Sequence, residues 1–432
     1  MEDKPSRWGL SMLLAAILVA AGCAIVYELL IGSTSALFLG GSVEQFSLTI
    51  GFFLFSMGLG AWFSRWIHAD LLVRFIQVEI GLAWIGGSAV SILYALYTYT
   101  GHFRYGMLLL IVSIGTLIGL EIPLLTRILR QYESLRSALA NALSMDYCGS
   151  LFAALLFPYV LLPFVGAMYT SVLTGLVNWG VGVAVLLAFR KQIDRRLKGV
   201  LYAQVGAVGA FLLALLVYAQ PLVEAWESAM YEDPIAHQEQ SVYQNIVLTT
   251  RGDGVRLYLN GHLQFASVDE FRYHEALVHP AMELAHAKKR VLIIGGGDGL
   301  TAREVLKYSQ VERIDLVDLD PAVTRLASRN PHITRINENA LSRQQVHITH
   351  ADGFAFLQQD HAAYDVVLFD LPDPREEGLA KLYSREGYEL AKRLLAPGGV
   401  MVTQATSPYY ARRAFWCIAQ TMEAAEIGRA HV

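Results

Sequence analysis

The chemistry legible in this sequence rests on five aspartates, one glycine-rich loop and one histidine. The loop is Gly295-Gly296-Gly297-Asp298-Gly299, directly after the apolar run Val291–Ile294. Such a loop lets a ligand approach the backbone, and a helix N-terminus behind it tolerates polar or anionic groups. Asp318 closes the next apolar stretch, about 20 residues on, where an acid can accept two ribose hydroxyl hydrogen bonds. Asp352-Gly353 stands at the end of a third stretch. Together these point to an adenosine-type ligand. No Gly-Lys-Ser/Thr follows Gly299, which excludes a phosphate-gripping P-loop. Asp298 inside the loop would repel a diphosphate and suits a positively charged ligand. Asp370 ends a further apolar stretch, and Pro372 and Pro374 stiffen the loop that carries Asp373. With Asp298 these place three carboxylates near one pocket. Such a cluster binds an amine cation, and one carboxylate can take up the proton as the nitrogen becomes a nucleophile. Asp373 could instead cap the next helix, and His274 could be a packing residue.

The elements that must position these groups follow from periodicity. Asn245–Thr250, Val255–Leu259 and His262–Phe265 read as short strands joined by turns at Arg251–Gly254 and Asn260-Gly261. Asp269–His286 reads as a helix with Tyr273 and His274 near its start. From Lys289 the pattern alternates: strand Val291–Ile294, helix Thr301–Tyr308, strand Arg313–Leu319, strands Val346–Thr349 and Val366–Phe369. Helix Tyr388–Leu395, a Pro397-Gly398-Gly399 turn and strand Val400–Gln404 come last. This alternation predicts a doubly wound parallel sheet with its ligands at the carboxyl ends of the strands.

Composition divides the chain in two. Of 432 residues 54% are hydrophobic and only 17% charged, whereas a soluble domain carries about a quarter charged residues. The deficit lies before Pro221. Seven apolar segments there are long enough to span a bilayer: Leu10–Leu30, Phe46–Ile67, Phe75–Tyr97, Tyr105–Leu125, Met145–Val165, Ser171–Phe189 and Val200–Ala219. Glu28, Glu79, Glu121 and Asp146 fall in or beside them. A carboxylate in lipid costs roughly 2.5–3.5 kcal/mol, so each should face the bundle interior, as a cation site or in a local pairing. Net charge is −4, which gives no reason to expect a nucleic-acid partner. The three cysteines, Cys23, Cys148 and Cys417, make no disulfide framework. Basic residues before the first segment (Lys4, Arg7), after the second (Arg65, Arg74), after the fourth (Arg127, Arg130, Arg136) and after the sixth (Arg190–Lys198) place the N-terminus inside. Seven crossings would then put the second half outside. A re-entrant segment, or an eighth span around Gly32–Gln45, would return it to the cytoplasm.

Residues 241–408 resemble the spermidine synthase (polyamine aminopropyltransferase) family. The stretches that carry the likeness are Tyr243-Gln244, Asn260–Gln264, Asp269–Glu275, His279-Pro280, Ile293–Gly299, Arg303-Glu304, Val317–Asp320, Asp352-Gly353, Asp370–Pro374 and Gln404. The whole chain is similar to the bacterial branch in which a multi-pass membrane domain precedes the synthase domain. The resemblance implies an α-helical membrane bundle over residues 1–220, then a linker, β lobe and lead-in helix over 221–288. A Rossmann-like, methyltransferase-type domain follows over 289–432. It also implies decarboxylated S-adenosylmethionine as co-substrate, an amine such as putrescine or spermidine as partner, no metal and no prosthetic group. By the same likeness Gln244, Gln264, Asp318, Asp352, Gly353, Gly295 and Gly297 would hold the thioadenosine part. Tyr273, His274, Asp298, Asp370 and Asp373 would hold the amine, with Asp370 as proton acceptor.

The sequence departs from the family in three places. Asp318 stands where Glu is usual, Arg375–Gly378 replaces a Gly-Pro that frames the adenine, and the run after Gln404 is short and unlike the family's, so an incomplete enzyme domain is expected. The reading is therefore an aminopropyltransferase in the bacterial inner membrane, its catalytic half cytoplasmic, compatible with a homodimer or larger homo-oligomer. Its rivals are a methyltransferase using intact S-adenosylmethionine, and a polyamine transporter or sensor whose synthase domain only binds.

Overall fold

The computed structural model describes residues 7–39, 42–374 and 377–427. Lys4, the Arg375-Glu376 pair and the last five residues lie outside the described residues. The chain forms two compact units that divide between Met230 and Tyr231.

The first unit is all helix: α1 (Arg7–Leu39), α2 (Ser42–Phe63), α3 (Leu71–Gly87), α4 (Ala89–Tyr99), α5 (Phe103–Leu129), α6 (Leu135–Leu156), α7 (Ala167–Ala188) and α8 (Arg195–Met230). Helix α6 continues through a π-helical stretch, Phe157–Val165. Six of these helices are long and apolar enough to cross a membrane, or seven if α3 and α4, bent by 40°, count as one. The bend has a local cause. Gly86 and Gly87 precede Ser88, whose hydroxyl donates to the Trp84 carbonyl at 2.7 Å alongside the longer bond from the Ser88 amide at 3.2 Å. The seven expected segments fall on these helices, Phe75–Tyr97 on the bent pair, with Ile67 and Phe189 just past the ends of theirs. No additional span forms among the described residues of Gly32–Gln45, where α1 ends and α2 begins. The last helix also outruns the boundary drawn at Gln220. It continues through Pro221 to Met230, since proline removes one intrahelical hydrogen bond without changing the helical φ.

Glycine sets the tightest crossings. A Cβ on Gly119 of α5 would lie 2.1 Å from the Met57 carbonyl oxygen, and one on Gly60 of α2 would lie 2.0 Å from that of Thr116. The α2 and α5 backbones therefore touch directly, as small residues permit between apolar helices. Glu79 and Glu121 are buried, while Glu28 and Asp146 are half-buried and line a cavity with Glu121.

The second unit opens with a four-stranded antiparallel sheet, β1 (Ile235–Gln240), β2 (Asn245–Arg251), β3 (Gly254–Leu259) and β4 (His262–Ala266), in sequential order. Asn260 (φ 50°) and Gly261 (φ 76°) make the β3–β4 turn, the pairing favoured by the strand twist. Strand β1 was not anticipated, because Ile235-Ala-His-Gln-Glu-Gln240 is too polar to signal a strand. Helix α9 (Glu270–Leu284) follows, with Asp269 at its N-cap.

Next come β5 (Arg290–Gly295), α10 (Leu300–Val305), β6 (Arg313–Asp318), α11 (Pro321–Arg329), α12 (Pro331–Ile336) and β7 (Val346–His350). The chain then forms α13 (Gly353–Leu357), β8 (Tyr364–Asp370), α14 (Glu377–Ala380), α15 (Arg385–Arg393), β9 (Leu395–Thr403) and α16 (Arg412–Ala424). The five strands order as β7-β6-β5-β8-β9 and every pair is parallel. This is the expected doubly wound sheet. Its central strands are buried on both faces, as parallel sheets require. Helix α10 stops before the expected Tyr308. The expected Pro397–Gly399 turn instead sits within β9 as an irregularity in its pairing with β8. The antiparallel lobe shares one core with the sheet, in which Ile246, Leu248 and Phe265 pack with Val278, Val291 and Ile293.

Replacing Gly119 by Val should separate α2 from α5 and cost roughly 1–3 kcal/mol of stability. Gly51→Ala, with nothing within 4 Å of the added carbon, should leave it unchanged. Thermal unfolding of the purified full chain measures both, and equal effects would contradict the crossing described.

Candidate active site

The order of the sheet reverses between β5 and β8, and the catalytic candidates converge there. Gly295 pairs with Asp370 in register, and the Gly296 amide donates to the Asp370 carbonyl at 3.0 Å. Gly295 (φ +84°) must be glycine, because a Cβ there would lie 2.0 Å from that carbonyl oxygen. The loop therefore folds over the end of β8 and carries Asp298 towards Asp370. Helix α9 supplies the third side. A polar atom of His274 lies within 4.8 Å of carboxylate oxygens of both Asp298 and Asp370.

Hydrogen bonds fix each group. Asp370 Oδ1 accepts from the Tyr273 hydroxyl at 2.8 Å, and its Oδ2 accepts from the Thr301 hydroxyl at 2.6 Å. Asp298 Oδ1 accepts from the Leu300 amide at 2.9 Å, which ties it to the start of α10. His274 Nδ1 sits 2.8 Å from both the Glu270 carbonyl and its carboxylate Oε2, one helical turn back. Glu270 in turn takes a two-pronged contact from Arg303 at 2.8 and 3.0 Å.

The electrostatics follow. Burial alone would lower the His274 pKa, but the bond to Glu270 and the nearby charges of Asp298 and Asp370 push it up to about 9. Its imidazole is thus a cation at neutral pH. Burial raises Asp298 to about 6, with Asp370 adding to the rise and His274 opposing it. Burial and the adjoining Asp370 hold the Tyr273 hydroxyl well above its usual range, so it remains a donor. His274, Asp298 and Asp370 could geometrically hold a metal ion. A protonated imidazole, however, offers N–H groups and no lone pair. The two carboxylates of the set are the groups that suit a small cationic ligand.

The remaining predicted residues occupy different surroundings. Asp318, at the end of β6, accepts from the Gly297 amide at 3.0 Å and the Asp320 amide at 2.9 Å. It reaches the loop so closely that a Cβ on Gly297 would lie 2.4 Å from its Oδ2. Gln244 donates to Asp320 Oδ2 at 3.0 Å. Asp352 is exposed and caps α13 through the Phe354 amide at 2.8 Å, beside Gly353. The Gln264 side-chain amide donates to the His262 carbonyl of its own strand at 3.1 Å. Asp373 is not in the tight His274, Asp298 and Asp370 group. Its Oδ1 accepts from Gln404 Nε2 at 2.9 Å, so the three expected carboxylates are two in the cluster and one on the neighbouring loop. Thr301, Glu270, Arg303, Asp320 and Ser241, which donates to Asp320 at 2.6 Å, were given no role from sequence. Glu270 was detectable, one turn before His274 on a recognised helix.

Residues 270–430 match the spermine/spermidine synthase domain family. Over 429 residues the chain is 42% identical to polyamine aminopropyltransferase 1 of Ralstonia nicotianae, covering 98% of this chain and 82% of that one. The chain belongs to the polyamine aminopropyltransferase family. It is also 41% identical over 409 residues to the polyamine aminopropyltransferase of Oceanobacillus iheyensis, covering 94% and 79% of the two chains. A solved structure, the spermidine synthase of Thermotoga maritima, is 31% identical over 44% of this chain and 64% of its own, with a TM-score of 0.41. The enzyme's likeness to its relatives runs through the helical unit as well as the catalytic one.

The His274–Glu270 pair makes a pH-dependent contribution to stability. With a folded pKa near 9 against an unfolded value of about 6.5, that contribution is complete below about 6.5 and is lost as pH rises through 9. Nitrogen-15 NMR of histidine-labelled protein should find His274 titrating near 9, and clearly lower in Glu270→Gln. An unchanged value in the variant would remove Glu270 as the cause.

Proposed function

We propose that the enzyme transfers the aminopropyl group of decarboxylated S-adenosylmethionine to putrescine or a related amine, releasing methylthioadenosine and a proton. The observation that carries this reading is the convergence of Asp298, Asp370 and His274 at the switch point of the sheet, with Tyr273 donating to Asp370. An ammonium group there meets two carboxylates. Asp370 accepts its proton, the freed nitrogen lone pair attacks the methylene carbon next to the sulfonium, and the carbon–sulfur bond breaks with its electrons passing to sulfur. The sulfonium is already a good leaving group, so the protein's part is to orient and deprotonate the nucleophile. The thioadenosine part would lie along Gly295–Gly297 towards Asp318 and Asp352, with Gln244 close by, and Asp373 would meet the far end of the amine. Tyr273 and Thr301 hold Asp370 in place.

Helices α1 to α8 support a bilayer location. Large apolar side chains such as Leu54, Phe55, Leu109 and Val217 face outward, and Arg65 stacks on Trp62 and Trp66 at 4.3 and 4.4 Å at the end of α2, as at a membrane interface. We place the catalytic unit in the cytoplasm, because its donor is an intracellular nucleoside. The basic loops favour the opposite side for seven crossings. A reporter fused after Met230 decides: cytoplasmic activity supports the placement, and activity only outside overturns it.

Purified full chain with decarboxylated donor and putrescine should release methylthioadenosine and form spermidine in equal amounts. A methylated amine made from intact S-adenosylmethionine would favour a methyltransferase instead. Asp370→Asn should lower kcat by roughly 10²–10⁴-fold with the chain still folded. The amine KM should rise as pH falls through about 6, where Asp298 takes up its proton. In Asp298→Asn that pH dependence should vanish, with KM already high.

A further inference from the structure

The helical unit contains acids that aminopropyl transfer does not use. Glu79 on α3 and Glu121 on α5 are 0% and 5% exposed. Glu79 Oε2 accepts from Asn178 Nδ2 at 2.7 Å, and Asn178 Oδ1 accepts from the Tyr27 hydroxyl at 3.2 Å. That chain fixes one oxygen of Glu79. Among the described residues no other side chain gives a donor to Glu79 Oε1 or Glu121 Oε1.

Glu121 also lines a cavity of about 50 Å³ together with Glu28 of α1 and Asp146 and Ser150 of α6. The rest of its wall is mainly hydrocarbon, including Ile25 and Phe53, and no Lys, Arg or His lines it. Carboxylates that line one low-dielectric cavity do not all ionise unless a positive charge joins them. The chemistry of the wall selects the charge. A hard metal ion takes about six or more oxygen ligands, and here hydrocarbon occupies most directions. A primary ammonium carries three N–H donors that suit convergent carboxylates, and its methylene chain suits apolar walls. One water occupies about 10–15 Å³ on this measure, so the cavity accommodates an ammonium head and its first methylenes.

We propose that the cavity bounded by Glu28, Glu121 and Asp146 binds the ammonium end of an aliphatic amine, as a second amine site in the helical unit. The inference rests on the helical unit alone and does not depend on turnover in the catalytic unit.

Radiolabelled putrescine binding to the purified full chain tests it in an Asp298→Asn, Asp370→Asn background that weakens the catalytic site. This protein should still bind about one equivalent, and adding Glu121→Gln should abolish that binding. Full retention of binding with Glu121→Gln would overturn the proposal. A second measurement needs no change in the helical unit. Dicyclohexylcarbodiimide, which labels buried carboxyls, should modify Glu121 about tenfold more slowly with putrescine at roughly ten times its Kd. Labelling of Glu121 at the same rate with and without putrescine would mean that only a proton occupies the cavity. An inactive catalytic unit with intact cavity binding would count against the transfer reading and leave this site standing.

Discussion

The catalytic unit depends on one close backbone approach, the passage of Gly295 and Gly296 across the end of β8. Side-by-side parallel pairing of β5 and β8 sets Gly295 opposite Asp370, and the 3.0 Å bond from the Gly296 amide locks the loop to that strand end. Nothing larger than hydrogen fits at Gly295. From this contact the rest follows: Asp298 arrives over Asp370, α10 starts where Thr301 can donate to Asp370, and Gly297 meets Asp318. A side chain at Gly295 would disturb all of these positions together.

That geometry creates an electrostatic cost, since it gathers buried acids at one point. The structure offsets it with cations one step removed. His274 faces the two aspartates and is itself held by Glu270, which Arg303 holds in turn. The alternation of charge keeps the pocket anionic enough for an ammonium without leaving several carboxylates facing one another unopposed. It also keeps Asp298 responsive near pH 6, and the proposed amine site would be linked to pH through that residue. The helical unit meets the same difficulty with Glu28, Glu121 and Asp146, and among the described residues lining their cavity none is basic.

Much of this was legible in the sequence, for physical reasons. Short β-branched runs such as Val291–Ile294 and Val366–Phe369, bounded by turn residues, read as strands buried on both faces, and the acids or glycines ending them mark the ligand edge. Apolar segments of bilayer length were equally plain. Other features depended on contacts between distant residues. The Thr301 and Tyr273 bonds to Asp370 join positions 69 and 97 residues away, and no local pattern announces them. The bonds of Gln264 to His262 and of Gln404 to Asp373 are likewise not announced by the motif that holds them. Strand β1 went unseen because an edge strand of polar residues carries little hydrophobic signal.

The most direct test of the account is a structure of the full chain bound to methylthioadenosine and putrescine. The account predicts one amine nitrogen within hydrogen-bonding distance of both Asp298 and Asp370, with the sulfur of methylthioadenosine facing it across the Gly295–Gly297 loop. An amine nitrogen bound away from Asp370, or a sulfur pointing away from it, would contradict the account.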